Sequence, residues 1–93
     1  MASVRDIKKD INYLTYEVLS DCMIYKHMHS EDAEKTDEIM KDMIEKREEL
    51  ITRVNEAKKL GDRKKTREAF NAIMNDGMKA ADESFGKLSK LAK

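Results

Sequence analysis

The chain has no proline or tryptophan and only three glycines among its 93 residues. Proline and glycine interrupt regular helices, and they are common in tight turns. Their scarcity therefore argues against a fold of many short elements and favours long, uninterrupted helices. Charged residues make up 41% of the chain and apolar residues 40%, a balance typical of helices with one buried face and one solvated face.

Cysteine and long apolar segments are scarce too. The single cysteine, Cys22, cannot form a disulfide within the chain, and the first residues lack the apolar core of a signal peptide. No apolar run approaches the roughly 20 residues that a membrane-spanning helix requires. We therefore expect a cytoplasmic protein with no membrane partner.

An excess of one charge is also absent, because 19 basic side chains balance 19 acidic ones. A neutral molecule has no strong general attraction to nucleic acid, so we do not expect nucleic acid to be the main partner. At this length, residues 1–93 are expected to form one domain around a single core.

The first helix is predicted to begin after Ser3, an N-cap residue followed by an acid, Asp6, at the third helical position. Apolar residues then recur at spacings of three and four: Val4, Ile7, Ile11, Leu14 and Val18. The pattern can continue through Cys22 and Tyr25, and it fades near residues 27–30.

A second helix is predicted to begin at Ser30 or Thr36, because acids that suit a helix N-terminus follow both. Its apolar face comprises Ile39, Met40, Met43, Ile44, Leu50, Ile51 and Val54. Gly61 is the expected C-terminal stop.

Asp62 can cap a third helix that runs almost to the C-terminus. Its inner face comprises Phe70, Ile73, Met74, Gly77, Ala81, Ser84, Leu88 and Leu91. Short connections favour neighbours of opposite direction, so we predict an all-α fold, an up-down-up antiparallel three-helix bundle with long helices. A break at Gly77 would instead give four helices, since glycine costs about 1 kcal/mol relative to alanine within a helix.

Two segments, SVRDIKKDINYLTYEVLSDC from Ser3 to Cys22 and KLSKL from Lys87 to Leu91, resemble short, uncharacterised all-helical bacterial proteins of unknown function. The resemblance implies the helical fold and the cytoplasmic compartment. It implies no functional residues.

A second line of residues follows the first helix, nearly opposite its apolar stripe. These residues are Tyr13, Tyr16, Ser20, Met23 and His27, with Ile24 beside them. One interpretation is that the third helix covers this line with its small residues, Gly77, Ala80, Ala81 and Ser84. The other is a partner interface for another protein helix or for a second copy in a homodimer, because tyrosine and methionine are enriched in interface cores.

Several metal-ligating residue types occur near the end of the first helix: Cys22, His27, His29, Asp21, Glu31, Asp32 and Glu34. Cys22 and His27 are five residues apart, which separates them by about 140° around a helix. This geometry is poor for a metal, so we expect no metal site and no cofactor.

Arg47 lies within the apolar stripe of the second helix, where a guanidinium needs an acidic partner. Asp21 or Glu17 on the first helix is at about the right height. We predict a structural ion pair between Arg47 and Asp21.

A basic turn joins the second and third helices, and its candidate phosphate contacts are Lys58, Lys59, Arg63, Lys64, Lys65 and Arg67. No aromatic residue accompanies them to stack on bases. Weak nucleic-acid or phosphate binding is the alternative function. The sequence contains no nucleophile elbow, phosphate loop or paired-histidine motif, so we expect a non-enzymatic interaction or self-association module.

Overall fold

The computed structural model describes residues 3–92, and these residues form three long α-helices that pack together. Helix α1 spans Val4–Met28, α2 spans Ala33–Ala57 and α3 spans Arg63–Leu91. A 3₁₀ turn, Ser30–Asp32, connects α1 to α2. The predicted all-α class and three-helix bundle are confirmed, and the described residues contain no strand.

Local sequence signals define two of the helix starts. Ser3 Oγ accepts from the Asp6 backbone N–H at 3.2 Å, and the Asp6 carboxylate accepts from the Ser3 N–H at 3.4 Å, which completes a capping box. Asp62 Oδ1 accepts from the Lys64 backbone N–H at 2.9 Å at the start of α3. Gly61 has a φ of +73°, a left-handed conformation that glycine adopts without steric cost. It lies in the turn and is not the stop of α2, because α2 already ends at Ala57, before Lys58 and Lys59.

The start of α2 differs from the prediction. The helix begins at Ala33, and Thr36 is buried within it, where its hydroxyl donates to the Asp32 carbonyl at 2.9 Å. Thr36 therefore does not cap α2, because its position one turn before Ile39 turns it toward the core. Ser30, the other candidate, begins the 3₁₀ turn instead.

The core consists of two clusters along the length of the bundle. The first joins the early part of α1 to the late part of α2 and the early part of α3: Ile7, Ile11, Leu50, Val54, Ala57, Phe70 and Ile73. The second joins the remaining parts of the helices: Val18, Cys22, Ile39, Met43 and Ala81. One expected core residue, Ile44, is 44% exposed, because it lies at the edge of the α2 stripe.

Helix α3 is continuous through Gly77 and Gly86, so the four-helix alternative is wrong. Gly77 is buried, and a Cβ added there would lie 3.4 Å from Leu50 Cδ1 and 3.6 Å from Leu14 Cδ1. The missing side chain leaves room for two leucines of the core, and this close packing offsets the low helix propensity of glycine.

The described residues form a rod with extents of 50 × 17 × 17 Å. Within residues 3–92, no helix is long and apolar enough to cross a membrane.

Candidate interaction surface

The second line of residues on α1 forms an exposed surface, which we call the outer face: Tyr13, Tyr16, Ser20, Met23, Ile24 and His27. Tyr13 and Tyr16 are 66% and 72% exposed, and Met23 and Ile24 are 63% and 60% exposed. His27 is also exposed, and Ser20 is half-buried. Each residue turns the helix by 100°, which places this line opposite the buried Ile11 and Val18.

Helix α3 does not cover the outer face, so the interpretation that its small residues accommodate the tyrosine rings is wrong. The space beside Gly77 is filled by Leu14 and Leu50, which belong to the core stripes of α1 and α2. The tyrosine rings on the opposite side of α1 remain in solvent.

Few charges interrupt this part of α1. Between Tyr13 and Met28 the sequence has only three charged residues, Glu17, Asp21 and Lys26, and all three lie at the edges of the outer face. In contrast, 13 of the 25 residues of α2 are charged. The outer face is therefore a continuous surface of large, weakly polar side chains.

Shallow grooves border the outer face on both sides near the end of α1. A groove of about 330 Å³ lies between α1 and α3 and includes Ile24, Met28 and Leu88. A second groove, of about 560 Å³, lies between α1 and α2 and includes Met23 and Met40. Met28 lies outside the line that helical spacing predicts as the interface, yet it is 71% exposed and borders the outer face. Methionine is a flexible side chain that adapts to different partner shapes.

The exposed area is close to the area that a stable contact requires. Five large side chains contribute: Tyr13, Tyr16, Met23, Ile24 and Met28. Each exposes on the order of 100–150 Å², so together they offer about 600 Å² of the roughly 800 Å² per partner that a typical specific interface buries. Neighbouring residues of the two grooves can supply the remainder.

Arg47 does not contact Asp21. Its Nε donates to Asn12 Oδ1 at 2.6 Å, and its Nη1 lies 2.6 Å from Glu48 Oε1. The predicted ion pair is wrong, because Arg47 lies level with Asn12, nine residues and about 13 Å along α1 from Asp21. Asp21 instead lines the groove between α1 and α3.

The candidate metal ligands do not converge. Cys22 is fully buried, and burial, together with the nearby Asp21 charge, raises the pKa of its thiol. His29 stacks on Tyr25 with ring centroids 4.5 Å apart, whereas His27 faces solvent. Among residues 3–92, no group of three or more His, Cys, Asp or Glu side chains could hold a metal ion.

The six predicted phosphate contacts, Lys58, Lys59, Arg63, Lys64, Lys65 and Arg67, are all exposed around the turn between α2 and α3. The structure adds a basic groove on α1, lined by Val4, Arg5, Lys8, Lys9 and Asn12. Because the first core cluster joins the beginning of α1 to this turn, both basic groups belong to the same end of the rod.

Charge is therefore distributed unequally between the two ends of the rod. Residues 3–12 and 50–75, which we call the basic end, carry ten basic and five acidic side chains, a net charge of +5. Residues 17–45 and 82–92, which we call the acidic end, carry five basic and eleven acidic side chains, a net charge of −6. The chain as a whole is neutral because these two opposite net charges nearly cancel.

No family model matches the chain, and no curated protein or solved structure is significantly similar to it. The function proposed below therefore depends on the geometry and charge of this chain alone.

Proposed function

We propose that this protein is a non-enzymatic self-association module and that the outer face of α1 is its contact surface. The observation that carries the proposal is the exposure of four large, weakly polar side chains, Tyr13, Tyr16, Met23 and Ile24, along one side of one helix. Monomeric proteins rarely expose a contiguous apolar surface of this size unless it makes a contact. A helix of a second copy is the proposed occupant.

The proposed bundle runs up, down and up. Contacts between neighbouring helices support this arrangement, because Lys26 pairs with Asp37 at 2.8 Å whereas Asn12, earlier in α1, pairs with Arg47, later in α2. The two core clusters are consistent with it, since the early part of α1 packs with the late part of α2. This arrangement leaves the outer face of α1 free along its whole length.

The shifted pKa values of three titratable groups have structural causes. Burial raises the pKa of Cys22, a hydrogen bond to Asp32 raises that of Tyr25, and a hydrogen bond from Arg53 lowers that of Asp76. Each cause is a contact that holds the bundle together. A cytoplasmic location is part of the same proposal, supported by an isolated, buried thiol that requires no oxidising compartment.

Sedimentation velocity over a micromolar concentration series tests the proposal. We expect the wild-type chain to approach about twice its mass of 10.8 kDa. The double variant Tyr16→Gln/Ile24→Gln, which keeps good helix-forming residues, should weaken the association on the order of 100-fold, as expected for two central interface residues. A wild-type protein that remains monomeric throughout the series would refute self-association.

Leu60 provides a matched control for these substitutions. It is 51% exposed, comparable to Ile24, but it lies at the turn between α2 and α3, away from the outer face. Leu60→Gln should leave the association constant unchanged. An equal loss of association in Leu60→Gln would show that the outer face has no special role.

Phosphate binding by the basic end is a second candidate function, favoured by the proximity of Arg5, Lys8 and Lys9 to the basic turn. Counterion release would make this binding strongly salt-dependent, whereas an apolar contact tolerates salt. Fluorescence anisotropy with a labelled single-stranded oligonucleotide tests this candidate. A signal that increases with protein and falls steeply with salt is expected, and no signal at low salt would exclude it.

A further inference from the structure

The geometry points to an antiparallel homodimer in which the outer faces of two α1 helices pack around Ser20 and the basic ends of the two copies lie at opposite ends of the pair. This inference rests on the proposed self-association and specifies its partner geometry. It is carried by the position of Ser20, by the continuation of the outer face toward the basic end, and by the opposite charges of the two ends.

Ser20 is the natural centre of such a contact. It lies midway between Tyr13 and His27, the first and last residues of the outer face, and its small side chain allows two helices to approach closely. In an antiparallel pair centred on Ser20, Tyr13 of one copy comes level with His27 of the other. Tyr16 likewise comes level with Ile24, so that each tyrosine ring faces a partner side chain.

The outer face continues toward the basic end as a line of charged residues. Lys9 precedes His27 by 18 residues and Arg5 precedes Met23 by the same interval, which equals five helical turns. Arg5 and Lys9 therefore point in the same direction as the outer face. In the pair centred on Ser20, Lys9 comes near the C-terminal end of α1 of the second copy, which is followed by Glu31 in the 3₁₀ turn.

The charges of the two ends favour the antiparallel direction. In the antiparallel pair the two basic ends, each with a net charge of +5, lie at opposite ends of the dimer, and each extends past the tip of the partner's acidic end, which has a net charge of −6. A parallel pair would place the two basic ends side by side and the two acidic ends side by side, and like charges in contact oppose association. Glu17 and Asp21 remain at the rim of either pair, where water and salt screen their repulsion.

Single-cysteine cross-linking with a short bismaleimide distinguishes the two directions. Ser20→Cys should form covalent dimers in the antiparallel pair. Tyr13→Cys and His27→Cys should each fail to cross-link alone, because identical positions are 14 residues and about 21 Å apart, but a mixture of the two should link. The wild-type chain is the control, because its Cys22 is fully buried.

Each outcome separates this inference from the proposed function. If sedimentation shows a dimer but Tyr13→Cys links to itself, the pair is parallel and the inference is overturned while self-association stands. A dimer in which no variant cross-links would overturn the pairing of the outer faces, and a monomer would overturn both proposals.

A charge exchange provides a second test. Lys9→Glu should raise the dissociation constant about 2- to 10-fold, a range typical of exposed charge pairs, and adding Glu31→Lys should restore it toward the wild-type value. If Glu31→Lys weakens association further in the Lys9→Glu background, these two residues do not face each other.

Discussion

The hydroxyl oxygen of Tyr25 lies 2.6 Å from Oδ2 of Asp32 and 2.9 Å from the backbone carbonyl oxygen of Leu91. Tyrosine has one hydroxyl hydrogen, so the two acceptors share a single donor. Through this group, α1 is connected both to the turn before α2 and to the last turn of α3. Tyr25 therefore connects the three helices at the acidic end of the bundle, where most of the outer face also lies.

Removing this hydroxyl should destabilise the fold. Tyr25→Phe is expected to lower the Tm by about 4–8 °C, the shift that the loss of one hydrogen bond produces in a domain of this size. Thermal unfolding followed by circular dichroism measures the effect. At concentrations where the chain is monomeric, Tyr13→Phe is the control, since this side chain is 66% exposed, and it should leave the Tm unchanged.

The hydrogen bond between Tyr25 and Asp32 also predicts that the Tyr25 hydroxyl loses its proton at a higher pH than an ordinary tyrosine. The hydrogen bond to Asp32, followed by desolvation and the charges of Asp32 and Glu31, raises the pKa of Tyr25 to about 12. Since the unfolded value is near 10, the folded state retains this proton longer than the unfolded state does. The stability contribution is present below about pH 10 and is lost as the pH rises toward 12.

Tyrosinate absorbance measures this titration directly. In a Tyr13→Phe/Tyr16→Phe background, the only remaining tyrosine is Tyr25, and its absorbance should have a midpoint near pH 12. Adding Asp32→Asn should move the midpoint toward 10. A midpoint near 10 before that change would contradict the hydrogen bond.

Replacing Gly86 in α3 and Gly61 in the preceding turn by alanine should change the free energy of unfolding in opposite directions. A Cβ at Gly86 meets no atom within 4 Å, so Gly86→Ala should stabilise the helix by about 1 kcal/mol. Gly61 has a positive φ, so Gly61→Ala should destabilise the protein by about 1–2 kcal/mol. Urea denaturation measures both changes, and destabilisation by Gly86→Ala would argue against a continuous α3.

The N-cap of α3 should contribute measurably to stability. Asp62 accepts from the backbone N–H groups of Lys64 and Lys65 at 2.9 and 3.3 Å. Asp62→Ala should reduce the free energy of unfolding by about 1 kcal/mol, whereas Asp62→Asn should preserve most of it, because asparagine is also a good N-cap residue. Equal losses in the two variants would show that charge, rather than capping, is responsible.

The predictable parts of the fold are those governed by neighbours in sequence. The Ser3 cap and the Asp62 cap each depend on residues within a few positions, and both are confirmed. The partner of Arg47 was predicted wrongly, because it depends on how far α2 is displaced along α1. A helical period does not determine that displacement.

The candidate surface was predictable to a similar extent. Helical spacing revealed the line from Tyr13 to His27, but spacing alone could not show whether α3 covers it. That depends on the core, where Gly77 accommodates Leu14 and Leu50. The grooves beside Met28 and Met40 were missed because they form between helices and have no sequence period of their own.

Intermolecular nuclear Overhauser effects test the central claim most directly. In an equimolar mixture of isotope-labelled and unlabelled chains, we expect cross-peaks from the Tyr16 ring of one copy to the Ile24 methyl groups of another. These cross-peaks should disappear on dilution below the dissociation constant. Their absence at concentrations where sedimentation shows a dimer, with cross-peaks from another surface instead, would contradict the assignment of the outer face of α1 as the contact surface.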